Sequence, residues 1–219
     1  MLSPLAQELN ETLADTVAAE LFSALGKRIF FPKGIIAQSG EAKQLGKTAN
    51  ATIGMTVING TPAILPSVHK SAPSLTSAEL VAYAPTAGNP TLRALWKDTL
   101  LAKNPSLKGK SISLPVIVPG LTAGISTLAD LFLDEGATLI AGDPSWDNYS
   151  LIVETRRGAA LRQFPMFADG GFNLAAFKAV VADEATRGFV RVLLNFPQNP
   201  SGYSPTKAEA AAIIRILRE

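Results

Sequence analysis

Residues Asn195–Gly202 read Asn-Phe-Pro-Gln-Asn-Pro-Ser-Gly, and this stretch decides the fold. It follows the apolar run Phe189–Leu194, which is typical of a buried parallel strand. It precedes Ser204-Pro-Thr206, which predicts the start of a helix over residues 206–218. A polar loop between such a strand and helix lies where open α/β sheets bind ligands. Taken alone, Asn-Pro-Ser-Gly is also ordinary turn chemistry.

The chain from residue 112 onward alternates strand-like and helical patterns. This alternation predicts an α/β fold with a mainly parallel sheet covered by helices. The predicted strand and helix pairs are 112–118 with 122–134, 138–141 with 147–157, 159–164 with 173–184, and 190–194 with 206–218.

The N-terminal region follows a different pattern. Residues 4–26 predict one helix, capped by Ser3 and ended by Gly26, with an apolar residue at every fourth position.

Residues 27–75 are rich in Gly, Pro, Ser and Thr and therefore predict loops, with a short strand at 51–57 and a turn at 60–62. Two helices are predicted after them, a short one that starts at Ser77–Leu80 and a longer one from Pro90 to Lys103.

Composition excludes several classes of function. The 219 residues are 47% hydrophobic and 17% charged, so they suffice for a substantial core. The net charge is +2 without a basic cluster, so nucleic acid is not an implied partner. The chain has no cysteine and a single histidine, His69, which argues against disulfides, histidine metal sites and Ser-His-Asp triads. No apolar run approaches the roughly 20 residues of a membrane span, and no secretory pattern opens the chain, so we expect a cytoplasmic protein.

The loop Val118–Gly124 joins the first predicted strand of the alternating region to its helix. Gly120 permits unusual backbone angles, and Thr122 is a suitable capping residue. The N–H groups of a helix start and the helix dipole favour an anion such as phosphate. The loop lacks the spacing of a Walker or Gly-x-Gly-x-x-Gly motif, and an ordinary glycine-containing loop remains the alternative.

The loop Gly142–Asn148 follows the next predicted strand and carries Trp146. An aromatic side chain there is well placed to stack on a planar ligand, although a core or interface Trp is the more common case. The same sheet edge is predicted to carry Thr122, Trp146 and Asn199 from three strand ends. This convergence favours a ligand site.

Together these segments resemble the class I/II aminotransferases of the aspartate and aromatic type, which are fold type I enzymes that use pyridoxal 5'-phosphate (PLP). Asn195–Gly202 is similar to the family signature Asn-x-Pro-x-Asn-Pro-Thr-Gly, with Ser201 in place of Thr. Tyr83–Arg93 is similar to the family's Tyr-x-x-x-x-Gly-x-x-x-Leu-Arg segment. The resemblance covers about residue 50 to the end of the sequence.

The resemblance implies roles for five cofactor-binding residues. Tyr83 would reach across a dimer interface to the PLP phosphate of the neighbouring subunit. The Leu121 backbone N–H and the Thr122 hydroxyl would donate to the phosphate. Trp146 would stack on the pyridine ring, and Asn199 would hydrogen-bond the phenolic oxygen of PLP and tune its electronics.

The resemblance also implies a substrate-facing strand at Ile53-Gly-Met55, in which Gly54 allows close approach. Arg93 ends the Tyr83–Arg93 segment that resembles the family. A simpler interpretation of Arg93 is that it forms an ion pair on a helix surface. The implied fold is a three-layer αβα PLP-transferase architecture that is incomplete at the C-terminus. Its expected domains are an N-terminal helix with an arm or small-domain segment over 1–75, and the first part of the large PLP-binding domain over 76–219.

The family's chemistry depends on a downstream lysine that forms a Schiff base with PLP, on an Asp that pairs with the pyridine nitrogen, and on an Arg that binds the substrate carboxylate. None of the eleven lysines in this sequence stands in the context of that motif, so no catalytic residue is predicted. We therefore expect a chain that corresponds to the N-terminal half of a larger protein and is inactive alone. The predicted strand 112–118 would then lack its neighbours and expose an apolar edge.

The resemblance implies that the complete protein is a homodimer that transfers an amino group from an amino acid to a 2-oxo acid. Two alternatives stay open. One is a catalytically inactive remnant or interaction module of the same fold. The other is a PLP-dependent lyase or synthase, because the cofactor-holding residues do not encode the reaction type.

Overall fold

The computed structural model describes residues 2–30, 35–46, 48, 52, 56–71, 74, 76 and 85–219. The chain forms two compact units, one from Met1–Pro32 with Thr122–Glu219 and the other from Lys33–Leu121. The predicted domain boundary at residues 75 and 76 stays a prediction. No helix among the described residues is long and apolar enough to cross a membrane.

A small parallel sheet organises the first unit. Strand β3 (Thr138–Asp143) pairs in parallel with β4 (Ala160–Pro165) along their whole length. On the other edge of β3, Ile140 forms a parallel bridge with Val192. The Ile140 N–H donates to the Arg191 carbonyl at 2.8 Å, and the Leu193 N–H donates to the Ile140 carbonyl at 2.9 Å. The predicted parallel sheet is therefore confirmed over two strands, and the predicted strand 190–194 contributes a bridge instead of an extended ladder.

The four helices predicted for the alternating region are present, with ends within two residues of the expected ones, and the last three follow β3, β4 and the bridging segment. They are α7 (Leu121–Phe132), α8 (Asn148–Ser150) with a π-helix (Leu151–Arg156) directly after it, α9 (Leu174–Ala185) and α10 (Lys207–Ile216).

Helices pack on both faces of the sheet. Ile140 and Phe164 point to one face, where they pack with α9 and α10, and the buried residues there are Ile140, Phe164, Met166, Phe172, Phe177, Val180, Val181 and Ile213. Leu139 and Leu161 point to the opposite face. The buried residues there lie in or shortly after α7 and the π-helix, and they are Ala129, Leu133, Ile152, Val153 and Ala159. This gives the three-layer αβα arrangement expected from the sequence.

A short hairpin, β5 (Phe167–Ala168) and β6 (Gly171–Phe172), was not predicted. Asp169 and Gly170 between the strands both have positive φ, at 51° and 77°. Asp-Gly is a preferred pair for such a two-residue turn, so the sequence did carry a signal for this hairpin.

The predicted single helix over residues 4–26 is wrong. Three short helices occupy this region: α1 (Pro4–Leu13), α2 (Val17–Leu21) and α3 (Ala24–Arg28). The Ser3 cap of α1 is confirmed, but Gly26 lies inside α3 instead of ending a helix. The breaks have a local cause, because the side chains of Thr16 and Ser23 accept hydrogen bonds from Ala19 N and Gly26 N and so start new helices.

The second unit contains α4 (Ile35–Leu45), the hairpin of β1 (Val57–Ile58) and β2 (Thr61–Pro62), α5 (Pro66–Ser71), α6 (Pro90–Lys103) and a 3₁₀ turn (Pro105–Leu107). The helix over 90–103 is confirmed at both ends, and the Asn89 side chain caps it. The expectation of loops throughout 27–75 is wrong for α4 and α5, and the predicted turn lies at Asn59-Gly60. Of the predicted strand 51–57, only Thr52, Thr56 and Val57 are described, and the predicted helix 77–80 lies outside the described residues.

The predicted strand at 112–118 is also wrong. These residues have no regular secondary structure, and no described strand pairs with them. Backbone groups of the segment bond elsewhere in the unit: Ile117 N donates to Ala87 O at 3.0 Å, Arg93 Nε to Pro115 O at 2.6 Å, and Lys97 Nζ to Ile112 O at 2.8 Å. Among the described residues, Arg93 contacts a backbone carbonyl and forms no ion pair of the kind considered from the sequence.

Candidate functional site

Two polar loops lie at the carboxyl-terminal edge of the small parallel sheet. One follows β3 and carries Ser145 and Trp146, and the other follows the bridging residues around Val192 and carries Asn195 and Asn199. Because β3 and the bridging segment are parallel neighbours, the two loops meet at the same edge.

Trp146 and Tyr149 form an aromatic pair in the first of these loops. Their ring centroids are 5.6 Å apart and the rings are nearly perpendicular, at 89°. Trp146 is half-buried, while Tyr149 is only 4% exposed. The edge of one ring therefore supports the face of the other, which restricts where the Trp146 ring lies.

Asn195 joins the second loop to this pair. Its Nδ2 donates a hydrogen bond to the Tyr149 hydroxyl oxygen at 3.4 Å. Burial raises the pKa of Tyr149, and the bond from Asn195 opposes that effect only in part. The phenol is consequently neutral at physiological pH and keeps its proton available to donate.

A narrow cleft, partly open to solvent, lies beside Tyr149 and Asn195, and its cavity volume is about 20 Å³. Its polar lining comes from Ser145, Tyr149, Asn195 and Gln198, and its apolar lining includes Phe164 and Phe196. Polar groups thus converge beside an apolar wall at this edge of the sheet, around a space of about the size of one water molecule.

Gln198 is buried beneath the second loop, with 6% of its surface exposed. Its Nε2 donates to Pro144 O and to Asn199 O, both at 2.7 Å. Its Oε1 accepts from Ser201 N at 2.8 Å and from the Ser201 hydroxyl. The Gln198 side chain therefore connects the loop of Trp146 to the loop of Asn199.

The predicted phosphate loop ends at the start of α7. Gly120 has φ of 89°, in the left-handed region that favours glycine, and α7 begins at Leu121. Leu121 is 81% exposed and Thr122 is exposed as well. The first N–H groups of a helix have no partner within the helix, so this start is able to donate to an anion.

The sequence-predicted site residues are placed as follows. Tyr83 and Gly54 lie outside the described residues. Trp146 contacts Tyr149, and Asn199 is exposed, with its carbonyl oxygen bound by Gln198. The Asn199 side chain does not line the cleft, so its predicted role and those of Leu121, Thr122 and Trp146 stay predictions.

The sequence interpretation missed Tyr149, Asn195 and Gln198 as members of the site. All three lie in or directly beside the two quoted segments, Gly142–Asn148 and Asn195–Gly202. Their burial and their mutual contacts depend on how the loops pack, which a motif does not encode. Among the described residues, no group of three His, Cys, Asp or Glu side chains is placed to hold a metal ion.

Comparison with known protein families and structures gives consistent results. The family model described as aminotransferase class I and II matches residues 55–219. An aminotransferase from Anaerococcus prevotii is 26% identical, with a TM-score of 0.75 over 90% of this chain and 50% of its own. The cytoplasmic aspartate aminotransferase of Saccharomyces cerevisiae is 22% identical, with a TM-score of 0.68 over 86% of this chain and 48% of its own.

The N-succinyldiaminopimelate aminotransferase of Mycobacterium tuberculosis is 22% identical, with a TM-score of 0.68 over 83% of this chain and 45% of its own. The chain thus spans about half the length of the solved structures that it resembles. No curated protein sequence matches it.

Proposed function

Because the chain belongs to the class I and II aminotransferase family, whose enzymes depend on PLP, we propose that it holds PLP in an enzyme that transfers an amino group from an amino acid to a 2-oxo acid. One observation carries the proposal. The two motif loops meet at the carboxyl-terminal edge of parallel strands, where Tyr149 contacts both Trp146 and Asn195.

The chemistry of the donor groups fits this cofactor. PLP carries a dianionic phosphate, a planar aromatic ring and a phenolic oxygen. The exposed helix start at Leu121 and Thr122 suits the phosphate, the half-buried Trp146 suits the ring, and the exposed side chain of Asn199 suits the phenolic oxygen. When bound, PLP supplies the electron sink that the amino-group transfer requires.

The residues of this chain would bind and orient the cofactor. Tyr149 and Asn195 would fix the Trp146 ring from behind, and the apolar wall of the cleft would limit the access of water. None of the three lysines of the first unit lines the cleft: Lys27 lies in α3, Lys178 pairs with Glu219 at 2.6 Å, and Lys207 begins α10. The proposal assigns cofactor positioning to the residues of the two loops and of the α7 start.

The proposal is tested by titrating the purified chain with pyridoxine 5'-phosphate and following tryptophan fluorescence. This probe has the ring and phosphate of PLP but no aldehyde, so it does not react with surface lysines. Trp96→Phe leaves Trp146 as the only tryptophan, and Trp146→Phe leaves only Trp96. We expect saturable quenching in the first variant and little in the second.

Equal quenching in both variants, or none in either, would contradict the proposal. Inorganic phosphate should compete with the probe, because the phosphate group is expected to occupy the helix start. The homodimer and the cytoplasmic location remain predictions. An inactive remnant would bind the probe as well, so binding by itself supports the cofactor site and not the reaction.

A further inference from the structure

Gln198 is the buried polar side chain that contacts both loops of the candidate site. Its carboxamide uses its full hydrogen-bonding capacity, two N–H donors and two acceptor positions. The partners fix the orientation of the amide, because Nε2 faces two backbone carbonyls and Oε1 faces a backbone N–H. A flipped amide would set donor against donor and acceptor against acceptor.

The backbone of Gln198 adds to this arrangement. Its N–H donates to Tyr203 O at 2.8 Å, and its carbonyl accepts from Gly202 N at 2.6 Å. The Tyr203 N–H in turn donates to the Ser201 hydroxyl at 3.2 Å. The loop after the bridging segment is thus closed on itself, and the Gln198 bond to Pro144 O attaches it to the loop that carries Trp146.

Pro144 lies two residues before Trp146, and Gln198 lies directly before Asn199. A bond between Gln198 Nε2 and Pro144 O therefore acts close to both predicted cofactor contacts. Without a bond between them, two separate loops would shift relative to one another, and binding both to one ligand would then require ordering both loops.

We propose that Gln198 is a positioning residue: its buried carboxamide fixes the Trp146 loop relative to the Asn199 loop and so sets the geometry in which the cofactor ring is held. The inference rests on the proposed function in one respect, because that proposal names the ligand, PLP. The fixed loop geometry itself is a property of the chain without any ligand, and it is measurable separately.

Two variants of equal length test the inference in the Trp96→Phe background. Gln198→Glu places carboxylate oxygens against the carbonyls of Pro144 and Asn199. Gln198→Met keeps the volume but removes all four hydrogen bonds. The matched control is Gln7→Glu, because Gln7 Nε2 also donates to a backbone carbonyl, that of Leu2 at 3.1 Å, but on the exposed surface of α1.

The first readout needs no ligand. We expect acrylamide to quench Trp146 fluorescence more strongly in both Gln198 variants than in the parent, and equally in Gln7→Glu and the parent. The second readout is the dissociation constant of pyridoxine 5'-phosphate, which we expect to rise about tenfold or more in Gln198→Glu, as loss of buried hydrogen bonds would produce.

The outcomes distinguish the positioning role of Gln198 from the proposed function of the chain. Unchanged Trp146 quenching in folded Gln198 variants, shown by circular dichroism, would overturn the positioning role whether or not the probe binds. A probe affinity within twofold of the parent, together with lowered stability, would show a purely structural role and would also overturn it. Absence of probe binding in the parent would refute the proposed function instead, and the quenching result would still decide the role of Gln198. If Gln198→Glu fails to fold, acrylamide quenching and the dissociation constant of the probe are both measured on Gln198→Met, which then decides the role of Gln198.

Discussion

Glu209 shows how one side chain stabilises the region beside the site. Its Oε1 accepts from Phe172 N at 2.8 Å and from the Tyr203 hydroxyl at 2.7 Å, while its Oε2 accepts from the N–H and the hydroxyl of Thr206, both at 2.7 Å. These four bonds lower the pKa of Glu209 to about 2, with the bond from Tyr203 as the largest cause. The side chain joins the β5–β6 hairpin to the start of α10.

We predict that Glu209→Gln destabilises the fold in a pH-dependent manner, since an amide N–H₂ would replace one acceptor oxygen and face two donors. The folded-state pKa is lower than the ordinary value of 4.5. The stabilisation by Glu209 is therefore complete above about pH 4.5 and is lost as the pH falls toward 2. Urea unfolding of both proteins between pH 2 and 7 should show a difference that shrinks with acidification.

The control is Glu11→Gln, which removes an exposed carboxylate from α1. A difference between Glu209→Gln and the parent that stays constant down to pH 2 would contradict the assigned hydrogen bonds.

Gly142, at the wall of the cleft, provides a second prediction at the scale of a residue. A Cβ atom there would lie 2.9 Å from Met166 Sδ and 3.1 Å from Met166 Cβ. We expect Gly142→Ala to destabilise the fold by about 1–3 kcal/mol, as overpacking of a core does. Gly40→Ala is the matched control, because a Cβ in α4 meets nothing within 4 Å, and we expect it to stabilise that helix by about 0.5–1 kcal/mol. Thermal unfolding measures both, and equal effects of the two substitutions would rule out the steric cause.

The sequence indicated which loops form the candidate site. It indicated less well which residues of those loops contact one another. Trp146 is predictable because the loop that carries it follows a clear strand pattern. The buried position of Gln198 is not, since glutamine is usually exposed and its four partners come together only in the folded loops. The contact of Asn195 was not predictable either. The motif includes Asn195, but its hydrogen bond to Tyr149 joins positions that are 46 residues apart in the sequence.

Among the elements, α3 has an unexpected attachment. The Arg28 Nε donates to Thr155 O at 3.0 Å and its Nη2 to Arg156 O at 3.5 Å, so α3 is attached to the carboxyl end of the π-helix. These are carbonyls of a helix end, which favours a cation.

We predict that Arg28→Met detaches the N-terminal helices, because methionine keeps the apolar stem and removes the donors. The loss should be about 1 kcal/mol and should appear as faster chymotrypsin cleavage near Phe22 and Phe30. Lys27→Met removes a neighbouring exposed charge from the same helix and serves as the control. Equal cleavage rates in the two variants would contradict the attachment.

Elements in the alternating region were predictable because each combines an apolar period with a start signal. Helix α10 is an example, since Thr206 and Glu209 form a capping box at its start. The prediction of one helix over residues 4–26 was wrong because the apolar period and the start signals disagree there. The apolar period continues through Thr16 and Ser23, but the side chains of these two residues begin new helices. The apolar run at 112–118 has a strand composition, but strand formation requires a partner strand, and its carbonyls bind α6 side chains instead.

For the whole molecule, the central question is whether 219 residues suffice for the reaction. We predict no 2-oxo acid formation by the purified chain with added PLP and several amino-acid donors. The reason is that cofactor positioning without a covalent lysine leaves only weak residual catalysis. A full-length class I aminotransferase is the positive control for the assay. PLP-dependent turnover by this chain would show that one of its eleven lysines performs the chemistry, and lysine-to-arginine variants would identify it.

The general fold and family were predictable at this scale, because loop motifs, their order and their spacing are encoded locally. Tyr83 and Gly54 lie outside the described residues, so their roles stay predictions.

The asymmetric pairing of β3 has a consequence for amide hydrogen exchange. Six registered residue pairs join β3 to β4, whereas a single bridge with two hydrogen bonds attaches the segment around Val192. The segment is therefore able to open as a separate cooperative unit while β3 and β4 stay paired. The amides of Leu193 and Ile140, which form the two hydrogen bonds of this bridge, should then exchange with deuterium much faster than the amides that bond β3 to β4, and a bound cofactor should slow these two. The strand that delivers the Asn195–Gly202 loop would thus be the part of the sheet whose protection reports ligand binding.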